Sequence, residues 1–336
     1  MPILKCVVGI DVSMETLETR FGTTDTDQHV ILSPSKTFSN RLTGFKQLLR
    51  WATQSNATPE IPIVFVMEAT GVYYERLAHF LFLNKRPVAV VLPNKIKNYA
   101  KSLQSKSKTD PLDAAAITRF GLDRQLTLWS PPSPTIKALH NLSREYHALK
   151  ATITSIKNQR HALSESFDPQ RRSLARKAQL LKFLQHQCDQ IQEDLHQLVE
   201  ADPVLARRVA NICTIEGVGF ITVISVLAET HCFEHVTHQK QLASYAGLDV
   251  VFNDSGLRKG KTSISRRGNI FLRNAVFMPA LTASRCNHQM KELYQRLIAK
   301  GKNKKLALIA VARKLLLLIY ALWKNNTIYC PDYQIS

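Results

Sequence analysis

Short apolar runs alternate with amphipathic stretches over the first 130 residues, and this alternation restricts the fold more than any other feature of the chain. Apolar runs at residues 6–12, 61–67 and 87–92 predict buried strands. Residues 19–24 and 29–33 predict two further strands, separated by a turn-prone Thr-Asp-Thr-Asp stretch. This order of elements predicts an α/β fold with a mixed sheet and helices on its faces.

Helices are expected between these strands. Apolar side chains at helical spacing predict helices at about residues 42–52 and 72–83, and Pro111 favours the start of a short third helix. Residues 95–108 are polar and predict a connecting stretch. The proline-rich break at residues 129–134 places the end of a first domain near residue 130.

A long helical arm is expected at residues 135–200, because apolar residues recur there at alternating three- and four-residue spacing, with one break at Asp168-Pro169. The spacing predicts a coiled-coil seam between two helices. The seam could close within one chain as an antiparallel hairpin, or it could join two chains as a dimerisation arm. The spacing alone does not decide between these, because a heptad seam does not specify its partner.

Residues 203–330 predict a mainly α-helical C-terminal domain. Within it, Ile215-Glu-Gly-Val-Gly219 lies between two helical stretches and has the form of a helix-hairpin-helix element. Backbone N–H groups at the start of the second helix could then hold a phosphate. The alternative is an ordinary turn between two helices.

The net charge of +19 at pH 7, from 45 Lys and Arg against 26 Asp and Glu, indicates a polyanionic partner. Nucleic acid is expected, and no membrane. The apolar stretch at residues 306–323 is interrupted by Arg313 and Lys314, which predicts a buried helix. Met1–Gly9 does not have the pattern of a signal peptide, so the expected compartment is the cytoplasm.

Four carboxylates stand where a sheet edge could gather them. Asp11 ends the first strand, Glu68 ends the strand before Ala69, and Asp110 and Asp113 share one face at a helix start. If the two strands are neighbours, these acids meet at the carboxyl edge and could bind Mg²⁺ or Mn²⁺. Taken singly, each has a structural explanation: Asp110 as a helix N-cap, Glu68 as a solvated strand end.

A basic segment with serines runs from Ser255 to Arg273 and contains no acidic residue. Its expected phosphate-binding cations are Arg258, Lys259, Lys261, Arg266, Arg267 and Arg273. A serine in such a loop could be a nucleophile if a base or metal activates it, or it could only donate hydrogen bonds to phosphate. The segment contains no histidine. The cluster His231, Cys232, His235 and His238 lacks a second ligand pair, so zinc is not expected there.

Three blocks resemble the DEDD motifs of a family of insertion-sequence transposases related to the pilin-gene invertases. They are Gly9-Ile-Asp-Val-Ser13, Met67-Glu-Ala-Thr-Gly-Val-Tyr73 and Lys108-Thr-Asp-Pro-Leu-Asp-Ala114. The C-terminal run Tyr245-Ala-Gly-Leu248, Ser255-Gly256 and Ile264-Ser-Arg-Arg-Gly-Asn269 resembles the second motif region of that family.

The resemblance implies a RuvC-like, RNase H-like N-terminal domain in which Asp11, Glu68, Asp110 and Asp113 bind catalytic Mg²⁺ or Mn²⁺. It further implies that a serine of the C-terminal domain forms a covalent link to DNA. Ser255 occupies the matching position, with Ser263 and Ser265 as rivals in the same loop. The implied partners are donor and target double-stranded DNA, a noncoding bridge RNA, and further copies of the chain as a dimer or tetramer.

Two other functions compete with a recombinase. A structure-specific nuclease would use the acidic site with water as nucleophile and would leave free DNA ends. A nucleic-acid-binding protein with an inactive RNase H-like fold is the non-enzymatic alternative, and the presence of all four acids disfavours it.

Overall fold

The computed structural model describes residues 2–69, 71–103, 109–251, 254–255, 258–259 and 263–331. The chain folds as two compact units, Met1–Pro131 and Pro132–Ser336. They are called the N-terminal unit and the C-terminal unit below.

The described residues of the N-terminal unit form a sheet of six strands. They are β1 (Ile3–Val12), β2 (Thr16–Asp25), β3 (Val30–Leu32), β4 (Lys36–Ser39), β5 (Ile63–Glu68) and β6 (Val88–Val91). The order is β3-β2-β1-β5-β6, and β4 pairs with the first half of β2. Strands β1, β2 and β3 are antiparallel, whereas β5 and β6 run parallel to β1. The predicted mixed sheet is confirmed.

In the part of the unit that the structure describes, four helices cover both faces of this sheet: α1 (Leu42–Ser55), α2 (Glu75–Leu83), α3 (Pro93–Ser102) and α4 (Asp110–Asp123). On one face, Phe45 of α1 and Leu81 of α2 are buried in the same core as Ile10. On the other face, Ile117 of α4 and Ile96 of α3 are buried with Val66. The sheet is therefore sandwiched between two helical layers.

Two elements differ from the prediction. Strand β4 was not predicted, because only Phe38 of its four residues is buried and so few residues give no alternation pattern. Helix α3 replaces the first half of the predicted polar connection. Pro93 occupies its first turn, and Ile96 alone is buried, so one apolar contact per three turns holds a helix that the polar composition concealed.

Helix α4 lies directly on β1. A side-chain carbon added at Gly9 would lie 2.3 Å from Thr118 Oγ1 and 2.8 Å from the carbonyl oxygen of Ala114, so only glycine permits this approach. Thr118 Oγ1 also donates to the Arg20 carbonyl of β2 at 3.1 Å. The middle of α4, at Ala114 and Thr118, is thus held against β1 and β2.

The C-terminal unit is mainly helical. Its helices are α5 (Pro134–Ser164), α6 (Arg171–Glu200), α7 (Pro203–Cys213), α8 (Phe220–Thr230), α9 (Gln239–Tyr245), α10 (Ile270–Cys286), α11 (His288–Ala299) and α12 (Lys304–Asn325). Among the described residues between α9 and α10, four strands of two residues are present: β7 (Val250–Val251), β8 (Asp254–Ser255), β9 (Arg258–Lys259) and β10 (Ser263–Ile264).

Helices α5 and α6 pack against each other as an antiparallel hairpin. Ile153 of α5 is buried together with Leu184 and Cys188 of α6, and Leu139 is buried with Leu195 in the main core of the unit. The apolar seam of residues 135–200 is thus covered within one chain. A role of this arm in dimerisation stays a prediction.

Helix α12 is long and apolar enough, by composition alone, to span a membrane, but 56% of its apolar window is buried inside the protein. Its residues Leu315, Ile319 and Leu322 belong to the core that α8 and α10 complete. Helix α12 is therefore a buried helix, as predicted from the interruption of its apolar stretch by Arg313 and Lys314.

A buried glutamate joins four elements of the C-terminal unit through its side chain and its backbone. Glu229 of α8, whose side chain is 3% exposed, accepts hydrogen bonds from Arg144 Nε and Nη2 of α5 and, at 2.6 Å, from Asn269 Nδ2 at the start of α10. Tyr245 of α9 donates its hydroxyl to the Glu229 carbonyl oxygen at 3.1 Å. The Arg144 guanidinium stacks on the Phe271 ring at 3.4 Å from its centroid.

Truncating the hairpin seam should destabilise the C-terminal unit. Ile153→Ala removes a buried side chain and is expected to cost about 2–5 kcal/mol of unfolding free energy. Phe183→Ala on the same hairpin is the matched control, because Phe183 is 58% exposed. Denaturant unfolding followed by circular dichroism measures both, and an equal effect of the two variants would contradict the buried seam.

Removing the Glu229 carboxylate should be costlier than neutralising it. Glu229→Ala leaves Arg144 and Asn269 without their acceptor and is expected to cost about 3 kcal/mol. Glu229→Gln keeps an acceptor oxygen and should lose less. Thermal unfolding of the two variants tests this order. Equal melting temperatures of Glu229→Ala and Glu229→Gln would mean that the hydrogen bonds to the acceptor oxygen kept by glutamine contribute nothing.

Candidate active site and nucleic-acid interface

Asp11 and Glu68 lie at neighbouring strand ends. Strand β1 pairs in parallel with β5 up to Ile10 and Met67, and the two acids are each one residue further along. Gly9 faces α4, and Val66 is buried with Ile117 of α4, so the alternation of the strands places Asp11 and Glu68 on this same face.

The other two acids lie in the first turn of the helix on that face. Asp110 and Asp113 follow Thr109, which is the N-cap of α4, so Asp110 is not the N-cap. Carboxylates are favoured in this turn by the helix dipole. Asp113 and Glu68 line one cleft of about 770 Å³, whereas Asp110 is exposed to solvent. The fold thus places these four acidic residues at one edge of the N-terminal unit.

The donor chemistry of this edge fits a hard divalent cation, since all four side chains offer carboxylate oxygens. In the described part of the chain, however, no three His, Cys, Asp or Glu side chains are grouped closely enough to bind an ion as they stand. Binding would therefore require rotation of the acidic side chains toward a common point. The backbone of the strand ends and of α4 already places them on one face.

Glu18 is a further acid at this edge that the sequence analysis missed. It is the antiparallel partner of Asp11 in the pairing of β1 with β2, so its side chain belongs to the same face. Thr37 of β4 donates its hydroxyl to Glu18 Oε2 at 2.6 Å. Only the register between strands reveals this neighbour, and the sequence alone does not give that register.

Asn40 connects the loops that follow the two acid-bearing strands. Its side-chain amide is 8% exposed and donates to the carbonyl oxygens of Ser13 at 2.8 Å and Tyr73 at 3.2 Å. Ser13 follows Asp11 by two residues and Tyr73 follows Glu68 by five. Asn40 therefore restrains both strand ends, a role that no sequence motif indicated.

The base of the serine-bearing segment is held by backbone hydrogen bonds and a close backbone contact. Strand β7 pairs with β10, and Asn269 N donates to the Tyr245 carbonyl oxygen at 2.7 Å. A side-chain carbon at position 268 would lie 2.4 Å from that oxygen, so the residue before Asn269 must be glycine. Asn269, in turn, donates to Glu229.

The three candidate serines have different surroundings. Ser255 is exposed on β8, directly opposite Arg258 in the pairing of β8 with β9. Ser263 is also exposed. Ser265 is half-buried and donates its hydroxyl to Asp249 Oδ1, while its N–H donates to the Asp249 carbonyl oxygen at 2.9 Å. The Ser265 hydroxyl is therefore engaged in holding the base of the segment.

The predicted phosphate-binding cations also divide into groups. Arg266 and Arg267 are exposed. Arg273 is half-buried and donates to the Ala246 carbonyl oxygen at 2.7 Å, so part of its guanidinium holds the loop base. Arg258 and Lys259 form β9, and Lys261 lies outside the described residues.

The cluster at His231 forms a tight turn. His231, Cys232 and Phe233 all have positive φ angles, and His238 Nδ1 accepts from Gln241 N at the start of α9. Burial raises the pKa of the Cys232 thiol to about 11, which favours the protonated form. Within the described residues, these side chains are not among any group of three His, Cys, Asp or Glu that could hold a metal ion.

Residues 8–168 match the family model described as a transposase of the DEDD IS110 type, and residues 209–295 match that of the "Transposase IS116/IS110/IS902 family". The chain is 32% identical to the pilin gene-inverting protein of Moraxella lacunata over 330 residues, which covers 96% of this chain and 97% of that protein. The transposase for insertion sequence element IS1111A of Coxiella burnetii is 28% identical over 119 residues, 34% of this chain and 33% of that protein.

Among solved structures, RuvC of T. thermophilus in complex with a Holliday junction substrate is similar with a TM-score of 0.26 and 12% identity, over 38% of this chain and 100% of that chain. This score is too low to support a structural equivalence. The two family matches and the near full-length similarity to the pilin gene-inverting proteins are sufficient by themselves: the chain belongs to the IS110 family of insertion-sequence transposases.

Proposed function

We propose that this transposase cuts and rejoins DNA strands with two sets of residues, an acidic edge and a serine. Asp11, Glu68, Asp110 and Asp113 would hold Mg²⁺ or Mn²⁺, and Ser255 would be the nucleophile. The observation that carries the proposal is the placement of Asp11 and Glu68 at adjacent parallel strand ends, on the face where α4 presents Asp113.

A bound divalent cation would neutralise charge on the phosphodiester and on the departing oxygen. Glu68 and Asp113, which line one cleft, are the residues best placed to hold it, with Asp11 next to Glu68. Asn40 would keep the two strand ends in position through its bonds to the Ser13 and Tyr73 carbonyl oxygens.

The serine would conserve bond energy between cutting and rejoining. Ser255 Oγ attacks phosphorus and loses its proton to a base, while the bond from phosphorus to the sugar oxygen breaks and that oxygen is protonated. The reverse attack by a new strand end restores a phosphodiester and frees the serine. Water as nucleophile would leave ends that cannot rejoin without an energy source. The backbone pairing of Ser255 with Arg258 puts the serine in a hairpin with basic residues, and this supports the role because cations stabilise the phosphate in the transition state.

The remaining cations would bind the nucleic acids. Arg266 and Arg267 are exposed within the basic segment Ser255 to Arg273. They would contact phosphates, together with Arg258, Lys259 and Lys261. We propose donor and target DNA as substrates, a noncoding bridge RNA as guide, and a dimer or tetramer as the active assembly.

Neutralising the acidic edge should stop strand cleavage. Asp11→Asn is expected to reduce Mg²⁺-dependent cleavage to background and to leave the circular dichroism spectrum unchanged, because one oxygen ligand loses its charge without a change of shape. Asp27→Asn, in an exposed turn of the same unit, is the matched control and should retain activity. Full cleavage by Asp11→Asn would remove this edge from the mechanism.

Removing the serine hydroxyl should separate binding from chemistry. Ser255→Ala is expected to bind DNA with about the wild-type affinity, since Lys and Arg contacts supply it. Recombination and the covalent protein–DNA adduct should both be lost, whereas Ser263→Ala should retain them. Peptide mapping of trapped adducts is the measurement. An adduct on Ser263 or Ser265 would transfer the role to that residue, and recombination without any adduct would refute a serine nucleophile.

A further inference from the structure

The cleft that Glu68 and Asp113 line extends away from these acids, between α3 and α4. Glu68 and Asp113 lie on its wall at the sheet edge, and the remainder is formed by α3 and α4 side chains. Its volume of about 770 Å³ is within the range of sites that bind small molecules or single nucleotides.

Small side chains keep this cleft open. Ala100 of α3 and Ala115 and Ala116 of α4 line it, together with the buried Ile96. Larger residues at the three alanine positions would fill the space between the helices, since interiors are otherwise close-packed. The cleft therefore has an apolar interior in contact with solvent.

Cations line the same cleft. Lys97 and Lys101 lie one turn apart on α3, and Arg119 lies on α4. All three are exposed, and their side chains take part in none of the side-chain hydrogen bonds and ion pairs of the described residues. The cleft thus combines an apolar interior, three positive charges and, at one end, the acidic edge.

We propose that this cleft binds one unpaired nucleotide of a nucleic-acid strand, with the base between Ala100 and Ala116 and the flanking phosphates on Lys97, Lys101 and Arg119. A nucleotide matches both parts of the lining, because its base is flat and largely apolar on its faces and its phosphates are anionic. A paired base could not enter, since it would first have to leave the helical stack. The strand so held would run past Glu68 and Asp113.

The inference rests on the proposed function only in naming the strand that reaches the acids, and binding can be measured without cleavage. The same chemistry is offered by an unpaired nucleotide of the DNA substrate and by one of a guide RNA. Photocrosslinking distinguishes these sources and also locates the contact.

Short single strands containing 4-thiothymidine or 4-thiouridine are irradiated with the full-length protein in EDTA, and crosslinked peptides are identified by mass spectrometry. Crosslinks are expected on α3 and α4, within residues 96–103 and 109–119. Ala100→Phe fills the cleft and should lower their yield about tenfold, as expected for loss of an apolar base contact. Crosslinks to the C-terminal unit should stay unchanged.

Matched controls lie on the opposite side of α3. Asn98→Phe places the same ring on the exposed face, and Lys95→Ala removes a cation that does not line the cleft, so both should crosslink as wild type. The double variant Lys97→Ala and Lys101→Ala should lose crosslinks as Ala100→Phe does. A fully paired duplex with the same photoreactive base should give none in this region.

A higher yield with DNA assigns the cleft to the substrate strand, and a higher yield with RNA assigns it to the guide. Equal yields from Ala100→Phe and Asn98→Phe, absence of crosslinks at residues 96–103 and 109–119, or equal crosslinking of the paired duplex would each overturn the proposal. Asp11→Asn should still crosslink. Failure of the recombination mechanism would therefore leave the crosslinking result valid, and absence of crosslinks would leave the recombination mechanism valid.

Discussion

The close packing of α4 on β1 is the contact on which the candidate active site depends. Because Gly9 has no side chain, α4 approaches β1 until Thr118 and the Ala114 carbonyl oxygen occupy the space of a missing Cβ atom. The first turn of α4, with Asp110 and Asp113, is thereby brought to the strand ends that carry Asp11 and Glu68. Any larger residue at position 9 would displace the helix and with it half of the acidic edge.

In the C-terminal unit, a buried polar network positions the serine segment, as the packing of α4 on β1 positions the acids. Glu229 is linked to Arg144 of α5, to Asn269 before α10 and, through its backbone, to Tyr245 of α9. A buried carboxylate is stable only when such partners compensate its lost hydration. Since Asn269 and Tyr245 also bond to each other through the backbone at the base of the serine segment, the network fixes where that segment leaves the core.

The sequence predicted those features that depend on local pattern. Apolar runs located β1, β5 and β6 and placed Asp11 and Glu68 at strand ends, and Pro111 marked the start of α4, which begins at Asp110. Features that depend on contacts between distant segments could not be predicted. Glu18 becomes a neighbour of Asp11 only through strand register, and Asn40 joins two loops that are 60 residues apart in sequence. Helix α3 and the cleft beside it were concealed by polar composition, because a single buried residue, Ile96, holds the helix in place.

The central claim is that cutting and rejoining proceed through a serine–phosphate intermediate, and the stereochemistry at phosphorus tests it most directly. Each in-line displacement inverts the configuration of the phosphorus atom. A DNA substrate with a single chiral phosphorothioate at the exchange site should therefore be recombined with overall retention, because two displacements occur. Inversion in the recombined product would mean a single direct displacement, and it would contradict a serine intermediate.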